Sequence, residues 1–380
     1  MIRPNPGRNW RPTAADELLL QAVLAKGDEA ARAWRAWAMG ERLEDLDIGS
    51  QRLLPALYRN LCEAGAGDDP ALGVLRGAYR QSWYRNQLVF RTGAQLLELL
   101  YAAGIPTLVF KGAALAVAHY HDVGARPMQD IDILVPPQLA RRALTAVERA
   151  GWRPVGPHPR DVLAVFHATT LSRRSLLEVA DLHWQAFPHS AAGEEDLWAA
   201  AVPLTLDGVR TQTLSPADHL LHVIGHGVAW NSVSPVRWVL DAMTILRSAE
   251  DGLDWDRFYA QAKRRELVYS VAELVAYLQR FRVPEIPEAT LQRLRSAPAG
   301  RSERALHRAR VARPPSMSSW RIHRAAHRAL GRLPGARRLG FVEFLAQRWG
   351  LGSRRELPLH VARKFRGLLR RIPHRPGEIA

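Results

Sequence analysis

Apolar positions recur at spacings of three and four through residues 13–103. AARAWRAWAMGERL and SQRLLPALYRNLCEAG each carry one apolar stripe opposite a polar face, the pattern of amphipathic helices. Gly65–Asp69 reads as a turn, and Pro70 suits the first turn of a long helix reaching Leu100. After Ala102–Gly104 the period changes. IPTLVF (105–110), β-branched at Ile105, Thr107 and Val109, predicts a short buried strand. KGAALAVAHYHD predicts a helix entered through Gly112, and after a loop with Gly124 and Pro127, DIDILV (130–135) predicts a second strand. PQLARRALTAVERAG predicts a helix, with proline near its start and Gly151 just past its end. AVFHATTL and SLLEVADLHW, joined around Ser172–Ser175, predict an antiparallel hairpin. From Leu214 the helical period returns: SPADHLLHVIGHGVAW, capped at Ser215 and Pro216, then WVLDAMTILRSA, then ELVYSVAELVAYLQRF up to Pro284. Short helical pieces follow, broken by Pro314, Pro315, Pro334, Pro358 and Pro373.

These patterns predict an α+β chain in four parts. They are a helical N-terminal region (1–103), an α+β core (104–210), a helical region (211–300) and a C-terminal tail (301–380). A length of 380 residues fits two or three domains. With 47% hydrophobic and 24% charged residues, the composition is globular and excludes disorder or a collagen-like repeat. One cysteine, Cys62, excludes a disulfide framework and a cysteine-based zinc site. The opening MIRPNPGRNWRP has no apolar core of a secretory signal. Glu98, Pro106 and Lys111 interrupt the most apolar stretch, 97–118, which therefore predicts no transmembrane segment. A soluble, cytoplasmic chain is the resulting expectation. The formal charge of +16 lies wholly in the tail, where 20 Lys and Arg face 4 Asp and Glu; the first 300 residues carry 33 of each sign. Only four cations are lysines, at 26, 111, 263 and 364, against 49 arginines.

Candidate chemistry begins at Asp130-Ile131-Asp132. Residues two apart on a strand share a face, so the two carboxylates point one way and Ile131, Ile133 and Val135 the other, into a core. Two such acids need a cation, and hard oxygen ligands suit Mg²⁺ or Mn²⁺; the alternative is a solvated acid pair at a strand end. Leu108-Val109-Phe110-Lys111-Gly112 runs from strand through glycine into a helix N-terminus, a turn whose backbone N–H groups suit phosphate. Lys111, an uncommon lysine in an arginine-rich chain, is a point-charge partner for a triphosphate, and Arg126, four residues before Asp130, is a second phosphate candidate. In LLEVADLHW, Asp181 and His183 share a face; a carboxylate in an apolar strand is expensive unless paired or on a metal. Asp181 thus supplies a third acid, whereas His183 reads as a core histidine more readily than as a ligand.

His219, His222 and His226 fall within about 60° on a helical wheel. They read as packing between the helical region and the core rather than as a metal site. In the tail, Arg337-Arg338, Arg354-Arg355, Arg363-Lys364-Arg366 and Arg370-Arg371 alternate with Trp320, Phe341, Phe344, Trp349 and Phe365. That pattern suits an anionic partner, RNA or a membrane surface, or equally arginine stems packed on aromatic rings.

LVFKGAALAVAHYHDVGARPMQDIDILV, followed by a helix, Gly151-Trp152 and VADLHW, resembles a nucleotidyltransferase family of bacterial proteins related to the DNA polymerase β and minimal nucleotidyltransferase superfamily. LLPALYRNL and HGVAWNSVSPVRWVLDA resemble that family's flanking helical regions. The resemblance implies a polymerase-β-like core, a small mixed sheet with helices. Lys111 and Gly112 would form the turn before the nucleotide-contacting helix, with Arg126 assisting. Asp130 and Asp132 would be the metal pair, and Asp181 the third metal-site acid or base. Ala113 departs from the superfamily's Gly-Ser turn, and the gap from Gly112 to Asp130 is longer than usual. The implied activity is Mg²⁺- or Mn²⁺-dependent transfer of NMP from an NTP, ATP first among them, with release of pyrophosphate. The acceptor is a small molecule, a peptide, a protein or RNA. The competing expectation is a non-catalytic protein of the same fold that binds RNA or an anionic surface through its basic tail. A D-x-D glycosyltransferase is a weaker rival, disfavoured by the K-G turn and by D-x-H-W.

Overall fold

The computed structural model describes residues 10–156, 159, 161–173, 178–249, 252–281, 286–313 and 319–369, with side chains described as far as Lys364. Helices come first: α1 (Ala14–Leu24), α2 (Gly27–Ala38), α3 (Ile48–Gln51), α4 (Leu54–Glu63) and the long α5 (Leu72–Ala102). A capping box opens α1. Thr13 Oγ1 accepts from the Asp16 N–H at 3.2 Å, and Asp16 Oδ2 accepts from the Thr13 N–H at 2.9 Å. The chain then enters β1 (Leu108–Phe110), which runs directly into α6 (Lys111–Leu115) and a π-helical turn over Ala116–Tyr120. β2 (Ile131–Leu134), α7 (Ala140–Arg149), β3 (Arg153–Pro154), α8 (Val162–Val165), β4 (Ala168–Ser172) and β5 (Val179–His183) follow. Next come α9 (Glu195–Ala199), β6 (Val202–Leu206) and β7 (Val209–Thr213). The remainder is helical: α10 (Pro216–Gly227), α11 (Arg237–Ser248), α12 (Trp255–Arg264), α13 (Val268–Leu278), α14 (Glu288–Ser296), α15 (Arg301–Val311), α16 (Ser319–Leu330), α17 (Phe341–Arg348) and α18 (Leu357–Leu369).

The α+β expectation holds, with local differences. Ala164 and Val165 belong to α8, not to the hairpin strand, which starts at Ala168. The β6–β7 hairpin has no counterpart in the sequence reading. Its turn is Asp207-Gly208, at φ of 46° and 83°, the left-handed pair that a two-residue hairpin turn requires. The expectations placed on Ser175, Leu176, Leu177, Pro284, Pro314, Pro315, Phe365, Arg366, Arg370, Arg371 and Pro373 fall on residues or side chains outside those described.

Among the described residues the strands form one mixed sheet in the order β3-β4-β5-β2-β1-β7-β6. β1 is antiparallel to β2 and parallel to β7, while β2 is parallel to β5. One face is largely apolar: Ile131, Ile133, Val135, Ala180 and Leu182 are buried together with residues of α5 and α7. The other face turns Phe110 and Leu134 towards α10 and the N-terminal helices. Phe110, fully buried there, contributes about 3 kcal/mol by removal from water.

The basic tail is partly folded onto this body. Leu330, Leu339 and Phe344 pack on Ala164 and Val165 of α8. The Arg348 guanidinium lies 5.3 Å from the Phe166 ring and donates to the Val165 carbonyl at 2.7 Å. Arg310 donates to the Gly225 carbonyl at the end of α10. These arginines serve packing. Among the described residues no helix is long and apolar enough to cross a membrane.

Candidate active site

In the parallel β2–β5 pair Asp132 lies beside Asp181, and Leu134 beside His183. Residues in register on neighbouring strands point to the same face, so Asp132, Asp181 and His183 converge on the face opposite the Ile131/Ile133 core. β1 sets Phe110 against Asp132, and the next residue, Lys111, turns over the carboxylate with φ 54°. A left-handed conformation costs a non-glycine residue about 1 kcal/mol, and such strain clusters at functional sites. Lys111 Nζ donates to Asp132 Oδ1 at 2.5 Å, and His183 Nε2 meets the same oxygen at 3.0 Å. Asp181 Oδ1 accepts from Thr170 Oγ1 at 2.6 Å. The Phe110 ring stands edge-on to His183 at 4.8 Å and to His222 at 5.1 Å, closing the floor of the site.

The charges within this cluster differ sharply. Burial opposes the Asp132 carboxylate, yet Lys111 and His183 outweigh it and hold the group well below the usual carboxylate range. Burial likewise opposes the Lys111 ammonium, and Asp132, with Asp181 and Asp130, raises it above the ordinary lysine value. Burial and then Lys111 lower His183 below the ordinary histidine value, and its Nε2 lies 3.0 Å from Asp132 Oδ1. Its Nδ1 is buried with no partner among the described residues.

Asp130 behaves oppositely. Burial first, then repulsion from Asp132 and Asp181, push its carboxyl up to about 6. The folded chain thus holds this proton more tightly than the unfolded chain, whose Asp titrates near ~3.9. Stability therefore falls as pH rises from about 4 through about 6. Without divalent ions, Asp130→Asn is expected to melt about 2–4 °C higher than the wild type at pH 7, with no gain at pH 4. Thermal melts at both pH values check this, and an unchanged or lower melting temperature at pH 7 contradicts it.

Ligand atoms of Asp132, Asp181 and His183 all lie within 4.8 Å of one another, a spacing that one divalent cation can bridge. Of the expected acids, Asp132 and Asp181 meet here, and His183 stands third. Asp130, one residue before β2, lines the same cleft outside that triplet. Gly112 and Arg126 are in direct contact: a Cβ at Gly112 would lie 2.8 Å from Arg126 Nη1, so glycine admits the guanidinium to this turn. Arg126 itself is buried, with Nε and Nη2 each 2.9 Å from the carboxylate oxygens of Asp241 on α11. Its fork is therefore engaged, leaving Nη1 towards the turn.

The cleft over these residues measures about 680 Å³, a volume suited to a nucleotide. Sequence-distant groups line it too: Arg52 after α3, Arg237 and Asp241 on α11, and His222 and His226 on α10. The three α10 histidines divide their roles. His219 is internal, with Nδ1 2.9 Å from His119 Nε2 and Nε2 3.2 Å from Thr213 Oγ1. His222 packs on Phe110 and Phe187, and His226 is exposed at the cleft.

Over residues 48–282, more than half of its length, the sequence matches the family described as "Uncharacterised nucleotidyltransferase". The chain belongs to this nucleotidyltransferase family. A search of curated proteins finds no match. The nucleotidyltransferase match starts at α3 and ends after α13, so it takes in the sheet, the acidic cluster and the α10–α11 wall. Nucleotidyl transfer is the general activity that comes with this membership. Sequence reasoning undervalued His183, although its two-residue offset from Asp181 was a signal for a shared face. It missed Arg52 and Arg237, which no local pattern marks.

Proposed function

We propose that the protein is a Mg²⁺- or Mn²⁺-dependent nucleotidyltransferase that moves NMP from an NTP, ATP in the first instance, to an acceptor nucleophile. The observation that carries this reading is the in-register pairing of Asp132 with Asp181, beneath Lys111 and at the floor of a nucleotide-sized cleft. Asp132 and Asp181 would hold the cation, with His183 and Asp130 close by in the same cleft. The bound ion supplies neutralisation of phosphate charge and alignment of the reacting oxygens. Lys111 donates to Asp132 and would offer its ammonium to phosphate charge beside the ion. The acceptor oxygen attacks the α-phosphorus, the bond to the β-phosphate bridging oxygen breaks, and pyrophosphate leaves with that electron pair. The acceptor's proton passes to Asp181, whose second oxygen makes no hydrogen bond among the described residues. Positioning and charge neutralisation account for most of the rate.

Incubation with each α-labelled NTP and Mg²⁺ or Mn²⁺, with and without cell extract, tests the reading. Expected are divalent-dependent pyrophosphate release and label carried onto one acceptor, a small molecule, peptide, protein or RNA. Absence of both, with all four nucleotides and in extract, overturns it.

A further inference from the structure

The turn that opens α6 offers phosphate little. Ala113 follows Gly112, so no hydroxyl is present there, and the Lys111 ammonium is bound to Asp132. Cations for an anionic ligand come from elsewhere on the cleft. Arg52 reaches it from the end of α3, in the N-terminal helices, and Arg237 from the start of α11. Between them lies Arg126, with Nη1 against Gly112. The three guanidinium groups are close enough to repel one another. Burial and then Arg126 lower Arg52 below the ordinary arginine value, and burial, Arg126 and Arg52 bring Arg237 down to about 10.

Asp241 is the carboxylate in direct contact with this group, while Asp130 attracts Arg52 and Arg237 from the floor. Asp241 takes the Arg126 fork at 2.9 Å and stands 3.8 Å from Arg237 Nε, while Arg237 Nη1 donates to the Pro127 carbonyl at 2.7 Å. The Arg52 guanidinium has no ion pair and no hydrogen bond among the described residues. Its position is nonetheless built. Gly49, three residues earlier, packs so closely on the Ser234 carbonyl that a Cβ there would collide with it. The Ser82 hydroxyl of α5, which also lines the cleft, is buried with no partner among the described residues. The cleft is therefore polarised. Asp130, Asp132 and Asp181 line it beneath Lys111, and Arg52, Arg126 and Arg237 line it with Asp241 as their direct carboxylate partner.

We infer that Arg52, Arg126 and Arg237 form a polyphosphate subsite that holds the β- and γ-phosphates of the nucleotide, so that the flanking helices and the loop before β2 supply charge for the leaving group that the α6 turn lacks. This rests on the nucleotidyltransferase reading of the same cleft. Planar guanidinium forks suit phosphate oxygens better than a lone ammonium does. A ligand with negative charge at one end and a cation-bridged phosphate at the other matches the polarity of the cleft. A single phosphate would leave one end unmatched.

The test is direct binding of inorganic tripolyphosphate by calorimetry, first without divalent ions, to the wild type, Arg52→Gln, Arg237→Lys and Asp132→Asn. Arg52→Gln is expected to weaken tripolyphosphate at least about tenfold, the scale of one lost charge-assisted contact, with no change in melting temperature. Arg237→Lys keeps the charge, removes the fork and should weaken binding by a smaller factor. Asp132→Asn should bind tripolyphosphate at least as tightly as the wild type. Wild-type protein that binds no tripolyphosphate, or an Arg52→Gln affinity within twofold of wild type, overturns the subsite. So does an Arg52→Gln defect seen with an RNA oligonucleotide but not with tripolyphosphate. Arginine-dependent tripolyphosphate binding by a protein that transfers no nucleotide would leave the subsite standing and refute only the catalytic reading.

Discussion

Asp132→Asn is expected to reduce nucleotidyl transfer by about a thousandfold and also to lower the melting temperature. Both effects come from one oxygen. Asp132 Oδ1 receives Lys111 at 2.5 Å and His183 at 3.0 Å, and the side chain is only 7% exposed. An amide there offers no charge to a divalent ion and leaves the Lys111 ammonium in a buried site without its nearest counter-charge, which is destabilising. The Asp132 carboxyl is held well below the carboxylate range, so its stabilisation is present above the unfolded value near ~3.9 and lost as pH falls below it. The wild type's stability margin over Asp132→Asn should therefore shrink below about pH 4. Pyrophosphate release and thermal melts across pH measure the two effects. Transfer within tenfold of wild type would refute Asp132 as a metal-site acid. The contrast with Asp130→Asn, expected to be more stable at pH 7, separates two acids only two residues apart.

Asp241→Asn should destabilise the fold by about 3–5 kcal/mol, and by more than Arg126→Met. Asp241 collects Nε and Nη2 of Arg126, each at 2.9 Å, and the Tyr120 hydroxyl at 2.7 Å. Burial disfavours this carboxylate, but Arg126 and Arg237 more than compensate and keep it ionised. Removing its charge leaves the buried Arg126 and the half-buried Arg237 mutually repelling. Removing Arg126 instead leaves Asp241 with Tyr120 and with Arg237 at 3.8 Å. Replacing both partners by methionine should recover part of the loss, because no buried charge is stranded. Urea unfolding of the three variants measures the order. An Asp241→Asn cost below about 1 kcal/mol would show that the pair does not hold α11 to the loop before β2.

The acidic part of the candidate site was legible because its geometry is local. Alternation in DIDILV turns Asp132 away from Ile131 and Ile133, and the same period in VADLHW couples Asp181 to His183. The K-G step after LVF marked where a strand becomes a helix. The β6–β7 hairpin carried a readable Asp-Gly turn, but not its destination. β7 lies parallel to β1 inside the sheet, and parallel pairing between distant segments leaves no local mark.

The sequence by itself determined the elements and which side chains share a strand face, because periods of 2 and 3.6 are properties of the backbone. It also located the excess charge in the tail, while the structure showed Arg310 and Arg348 engaged in packing there. Tertiary structure alone decided that β5 lies beside β2 in the register that joins Asp132 to Asp181. It alone gave Arg126 a partner 115 residues away and brought Arg52 and Arg237 to the same cleft. Those choices depend on which buried faces and charges complement one another across the folded chain, and no sequence window contains both halves of such a pair.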